Sequence, residues 1–218
     1  MPPRLLSALL RRTALWDRYQ AARAARIRRR WEARGRPVPP PHPVKQAILR
    51  DYARRAGTRV LVETGTFRGD MVEAMLPAFD RVVSIELDPL LFEQARERFR
   101  GDPRVTLLQG DSGRLIPEVL AGIVAPTLFW LDGHYSGGET ARGERSTPVR
   151  EELLAILHHP VDGHVILIDD ARCFTGQDDY PTLPDLQALV SRERPGLCFG
   201  VEDDIIRIHR PLGPDAGR

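Results

Sequence analysis

Acidic residues recur just behind short apolar runs, and this placement is the first sign of chemistry in the chain. Glu63 follows Val60-Leu61-Val62, and Glu86 follows Val82 to Ile85. Asp111 follows Val105 to Leu108 by way of Gln109-Gly110, Asp132 follows Leu128 to Leu131, and the pair Asp169-Asp170 follows Val165 to Ile168. In an open α/β sheet the ligand crevice lies beyond the C-terminal strand ends, so acids there face whatever fills it. The first acid opens the segment Glu63-Thr64-Gly65-Thr66-Phe67-Arg68-Gly69-Asp70. Gly65 and Gly69 permit a tight turn and close backbone approach, and free amides at the next helix start can bind a carboxylate. Glu86 stands where an acid accepts from both hydroxyls of a ribose. Asp111 and Ser112 stand where an adenine amino group can be received. Each feature alone also fits a solvated strand end or plain strand-to-helix geometry; in sequence, on successive strands, they fit a nucleoside. A nicotinamide-binding turn would read Gly-x-Gly-x-x-Gly, and the Gly65/Gly69 spacing argues against a dinucleotide.

A second group of reactive residues follows the fourth and fifth runs. Asp132-Gly133-His134-Tyr135 and Asp169-Asp170 are expected as neighbours at the crevice, which gathers three carboxylates and an imidazole beside the ligand. Like charges so close raise one another's pKa unless a cation neutralises them, and Mg²⁺ or Mn²⁺ suits such oxygen ligands. Asp132, Asp169 and Asp170 are therefore expected to hold a divalent cation. The alternative is that Asp170 caps the following loop and one acid alone faces inward. His134 is placed to act as a general base or to serve as a structural hydrogen-bonder. The glycine-rich charged segment from Gly137 to Pro148 reads as a lid, with Tyr135, Arg142, Glu144 and Arg145 as substrate contacts; charged surface loops also serve solubility alone.

Elements must hold these residues in place. Five near-continuous apolar runs, each separated by a segment of helical periodicity, specify buried parallel strands with right-handed crossovers and helices on both faces. Leu197 to Glu202 and Ile205 to His209, joined by Asp203-Asp204, read as an antiparallel hairpin added at the sheet edge. The fold class expected is α/β, a Rossmann-like doubly wound, mostly parallel seven-stranded sheet with that C-terminal hairpin and an N-terminal helical arm. Leu5 to Trp31 lacks Gly and Pro and repeats Leu5, Leu9, Trp16, Ala24, Ile27 and Trp31 at helical spacing. Gly35 ends this helix, and the Pro-rich run from Pro37 to Pro43 forms an extended spacer. A further helix starts at Pro43 and stops at Gly57. The organisation expected is an arm over 1–36, a linker over 37–43 and a single ligand-binding domain over 44–218.

The segment Glu63 to Gly69 resembles motif I of the class I S-adenosylmethionine-dependent methyltransferases, with Glu86 and Asp111 at the family's next two cofactor positions. The resemblance covers roughly Val44 to His209. It implies that Glu63, Gly65, Thr66 and Gly69 face the methionine part of S-adenosylmethionine, Glu86 the ribose, and Asp111 with Ser112 the adenine, with Asp132 also reaching the cofactor. Phe67 departs from the pattern, standing where many members have a second glycine. An acid after the fourth strand and an acid pair after the fifth are similar to metal-dependent O-methyltransferases of the catechol and macrolide-sugar types, which implies Asp132, Asp169 and Asp170 as the metal seat. Asp-Gly-His resembles methyltransferases of polysaccharide and antibiotic biosynthesis, which implies His134 as the base, beside Asp132. The expected function is O-methylation of a small or sugar-like hydroxyl with divalent-metal assistance. The alternatives are a catalytically silent cofactor-binding protein, or a metal-dependent sugar-modifying hydroxylase on the same fold.

Composition narrows the setting. The 218 residues are 42% hydrophobic and 28% charged, and no apolar run approaches the ~18–20 residues of a membrane span. Arg11 and Arg12 interrupt Leu5 to Leu10 before a signal-peptide core forms, and two distant cysteines make neither a disulfide framework nor a zinc motif, so a cytoplasmic location is expected. The net charge of +2 hides an asymmetry: residues 1–36 hold eleven Arg against Asp17 and Glu32, a net of +9, which leaves +2 − 9 = −7 for the rest. Such an arm suits self-association first, a membrane surface second and nucleic acid last. The partner expected is a small-molecule or saccharide acceptor within a homo-oligomer, without nucleic acid.

Overall fold

The structure, a computed structural model, describes residues 14–133 and 147–213. The chain forms two compact units, 1–48 and 49–218. In the first, helix α1 (Ala14–Ala33) ends where Gly35 turns left-handed at φ 80°, and the Trp31 indole donates to the Pro37 carbonyl at 2.8 Å. The part of the expected helix before Ala14 lies outside the described residues. Helix α2 (His42–Ala56) starts one residue before the proline expected to open it, stops at left-handed Gly57, and contains the division between the units.

The second unit is a seven-stranded sheet: β1 (Val60–Thr64), β2 (Arg81–Glu86), β3 (Val105–Gln109), β4 (Leu128–Leu131), β5 (Val165–Ile168), β6 (Cys198–Glu202) and β7 (Ile205–His209), in the order β3-β2-β1-β4-β5-β7-β6. The first five are parallel, and β4 and β5 are buried at every position, which is why they read as unbroken apolar runs. Helices α3 (Asp70–Met75), α4 (Pro89–Arg98), α5 (Ser112–Ala121), α6 (Val149–His158) and α7 (Leu183–Glu193) alternate with the strands. Ile116, Leu153, Ile156 and Val190 of these helices join Val62, Phe129, Ile166 and Ile206 of the sheet in one core. Apolar burial of this kind is the main favourable term of the fold.

The hairpin is inserted rather than simply appended: β7 pairs antiparallel with β5, and β6 forms the edge. Asp203 and Asp204 both take positive φ, 55° and 62°, as a two-residue turn matched to strand twist requires. The order of the strands reverses between β1 and β4. Ligands bind at such switch points, and there the strand-end acids converge.

Candidate functional site

At the switch point the chain turns sharply out of β1. Gly65 has φ 85°, and a Cβ on it would lie 2.5 Å from the Asp132 carbonyl oxygen, so β1 and β4 approach through bare backbone. Gly69, at φ 77°, packs equally tightly on the Phe99 ring. Between them Phe67 is left-handed at φ 49°, a conformation that costs a non-glycine residue roughly 1–2 kcal/mol. A glycine would take this conformation freely. Arg98 of α4 secures the far end, donating to Asp70 at 2.7 Å and also meeting Glu73 and the Arg68 carbonyl.

Glu86 holds this turn in place. Its two oxygens accept from the backbone amides of Phe67 at 2.7 Å and Asp88 at 2.9 Å, and the side chain is buried. Each carboxylate oxygen has a second lone-pair direction for a ligand hydroxyl. Asp111 caps α5, its Oδ1 accepting from the Gly113 amide at 2.9 Å, which leaves Oδ2 outside the cap. Buried Ser112 approaches Gly133 at the end of β4, beside the Thr64 hydroxyl, which is buried without a hydrogen-bond partner among the described residues.

Glu63 lies deeper. It is buried opposite Ser84 in the β1–β2 register and accepts that hydroxyl's hydrogen bond at 2.5 Å; Thr66 in turn donates to Ser84 at 2.6 Å. Burial pushes the Glu63 carboxyl up to about 8; the Ser84 hydrogen bond opposes this rise, and the charges of Asp132 and Glu86 add to it. Glu63 is therefore largely protonated at neutral pH. Ser84 was not expected at the site, and its only trace in the sequence is a hydroxyl inside the apolar run Val82 to Ile85.

The acid pair after β5 separates. Asp169 is buried and accepts from the Asp170 amide at 2.9 Å, whereas Asp170 turns away at φ 54° to pair with Arg172 at 2.7 Å. Arg172 also binds Asp204 of the hairpin turn through its backbone amide at 2.8 Å and its guanidinium. The counter-charge expected from Mg²⁺ or Mn²⁺ is thus supplied to Asp170 by an arginine. Among the described residues no three acids, histidines or cysteines form a group able to hold a metal.

A cleft at the ends of β4 and β5 continues the site. It is lined by Gly133, Asp169, buried Glu152 of α6, and Phe174 and Tyr180, whose rings meet edge-to-face at 5.2 Å. Burial, with the charges of Cys173, Asp170 and Asp132, raises the Tyr180 phenol well above its ordinary value, so it stays a hydroxyl. Sequence reasoning missed Glu152, Phe174 and Tyr180, which belong to a helix and a loop without a motif. His134, Tyr135, Arg142, Glu144 and Arg145 lie outside the described residues.

The fold is shared with known structures. An O-methyltransferase of tomaymycin synthesis from Streptomyces achromogenes, solved with S-adenosylmethionine, matches with a TM-score of 0.57 over 88% of this chain and 89% of that one, at 18% identity. A Bacillus cereus O-methyltransferase, solved with S-adenosylhomocysteine, matches at 0.56 over 86% and 90%, at 15% identity. Of curated relatives, ribosomal RNA small subunit methyltransferase A of a Synechococcus strain is 31% identical over 109 residues, 50% of this chain and 38% of that protein. The chain thus spans well under half the length of that relative. No protein-family model matches. The fold is that of the class I, Rossmann-like S-adenosylmethionine-dependent methyltransferases. No described helix is long and apolar enough to cross a membrane.

Proposed function

We propose that the chain binds S-adenosylmethionine at the β1–β4 switch point and transfers its methyl group to a hydroxyl of a small or sugar-like acceptor. The observation that carries this reading is the ordered set of Glu63 with the Gly65–Gly69 turn, Glu86 and Asp111 on three adjacent strands, each held in place by its own hydrogen bonds. The likeness to O-methyltransferases solved with this cofactor supports it.

The glycine turn, held tight against the Asp132 backbone at Gly65, faces the methionine part. Glu86, anchored by two amides, presents its remaining lone pairs to the ribose hydroxyls. Asp111 and Ser112 take the adenine edge. When bound, the cofactor supplies an electrophilic sulfonium methyl: the acceptor oxygen bonds to that carbon as the carbon–sulfur bond breaks, its electron pair leaving with the now neutral sulfur. In-line positioning of the acceptor hydroxyl on the sulfonium methyl supplies a large part of the rate. His134 takes the hydroxyl proton, and Asp132, two residues before it, stabilises the imidazolium.

An acceptor screen over sugars and catechols, read as S-adenosylhomocysteine formation, tests the reading. His134→Ala should retain cofactor binding and lose about 10²–10⁴ in turnover, with partial recovery at higher pH. An unimpaired His134→Ala enzyme removes the base. Cofactor binding without turnover on any acceptor leaves the silent binding protein.

A further inference from the structure

Helix α1 has two unlike faces. Gln20, Ala24, Ile27 and Trp31, spaced four, three and four residues apart, are its less exposed residues, and Trp31 is buried. Arg18, Arg23, Arg26, Arg29 and Arg30 are all exposed and, at about 100° per residue, fall within an arc of about 140° on the other side. That arc runs for about 18 Å along the helix at about 1.5 Å per residue. Tyr19 stands within it, 59% exposed. Glu32, the acid at the end of α1, lies off the arc and is paired with Arg28 at 2.8 Å. Arg23, Arg26, Arg29 and Arg30 sit three or four residues apart, so they repel one another by a few tenths of a kcal/mol per pair. A helix that stacks like charges in this way becomes more stable when a polyanion lies along it.

We propose that this arginine face binds the phosphodiester backbone of nucleic acid. The remainder of the chain after residue 36 carries a net −7, so attraction to a polyanion is confined to the arm. Exposed guanidiniums make bidentate contacts with phosphate, and an aromatic ring among them offers a stacking surface for an unpaired base. A lipid surface fits less well. Interfacial helices sink a broad apolar face into the bilayer, whereas over residues 18–33 Ile27 and Trp31 lie on the less exposed side of α1. The sequence ranked nucleic acid last among three partners; the angular sorting of the arginines favours it instead. The binding carries no base specificity, since phosphate contacts position without reading sequence. It is independent of the methyl-transfer reading.

Fluorescence anisotropy of the full chain with a labelled single-stranded RNA and a labelled DNA duplex, across a salt series, tests it. Five phosphate contacts give a slope of log affinity against log salt of about −3.5 to −4.5. The variant R18Q/R23Q/R26Q/R29Q/R30Q should bind at least tenfold more weakly with a shallower slope, while its circular dichroism and S-adenosylhomocysteine affinity match the parent. Tyr19→Ala should weaken the single strand more than the duplex. No binding at low salt, or binding unchanged in the five-site variant, overturns the proposal. So does capture by phosphatidylserine vesicles without nucleic-acid binding, or an arginine-dependent dimer in sedimentation that nucleic acid leaves intact. If the five-site variant does not fold, the salt slope of the unmodified chain decides.

Discussion

The parallel strands treat acids differently at their two ends. Ahead of β2 and β3, Asp80 and Asp102 are each gripped by an arginine: Arg59 donates to Asp80 at 3.0 and 2.6 Å, and Arg104 to Asp102 at 2.9 and 2.7 Å. Ahead of β4 and β5 a closed polar chain runs from the Thr127 amide to His164 Nδ1 at 3.1 Å, from His164 to His159 at 2.9 Å, and from His159 to the Leu120 carbonyl at 3.1 Å. At the opposite ends Glu86, Asp111 and Asp169 accept from backbone amides and Glu63 from a hydroxyl, and of the strand-end acids Asp170 is the one paired with a described arginine. An acid locked to an arginine is neutralised in place. One fixed by backbone amides is held in position without a counter-ion from the described arginines. That contrast, more than the number of acids, marks the functional end.

The same substitution on either side of β1 should break the comparison most visibly. Gly57 precedes the strand at φ 67° with nothing within 4 Å of a would-be Cβ, whereas Gly65 follows it at φ 85° with the Asp132 backbone at 2.5 Å. Gly57→Ala should cost roughly 1–2 kcal/mol of left-handed strain. Gly65→Ala should cost about 3 kcal/mol or more and abolish cofactor binding, because two backbones must separate. Equal melting temperatures for the two variants would remove the claim of a built cradle.

Titration sharpens the contrast, with opposite signs. A carboxyl raised to about 8 keeps its proton in the folded state while the unfolded chain, near 4.5, has lost it. Stability from Glu63 therefore falls as pH rises between these values and stays low above the upper one. Glu63→Gln should gain in melting temperature relative to the parent as pH climbs from 6 to 9; a constant difference would place the Glu63 pKa near its ordinary value. Burial first, and then the neighbouring His159, lowers His164 to about 4 from 6.5. This imidazole is neutral when folded, so its contribution is present above about 6.5 and lost as pH falls toward 4. His164→Asn should cost about 1–3 kcal/mol at neutral pH for the broken hydrogen bonds, with that difference shrinking in acid. A difference that grows in acid would contradict a neutral His164. The smallest effect is expected at Arg59, where Arg59→Ala removes a solvent-screened pair and should leave the melting curve almost unmoved.

What the sequence made legible follows from how local each cause is. The β4 and β5 runs end where expected because burial on both faces demands unbroken apolarity, and Glu86 could be placed because it ends its own strand. The fate of Asp170 was hidden. Its arginine stands two residues on, but that arginine is held by Asp204, 32 residues away in the hairpin turn, so the pairing exists only once β7 lies beside β5. The protonation of Glu63 was hidden for the same reason: Ser84 is 21 residues distant, and the burial that raises the pKa is made by the assembled sheet. Phe67 shows the reverse case, in which a bulky residue takes a left-handed backbone that favours glycine.

The most direct test of the account is calorimetric titration of S-adenosylhomocysteine into the full chain and into Glu86→Ala. Two ribose hydroxyls would lose a charged acceptor, and hydrogen bonds to charged groups contribute about 1.5–3 kcal/mol, so affinity should fall about tenfold or more in a variant that still melts cooperatively. A folded parent that takes up no S-adenosylhomocysteine, or a Glu86→Ala chain that binds it as tightly as the parent, would contradict the assignment of the C-terminal strand ends as the cofactor site.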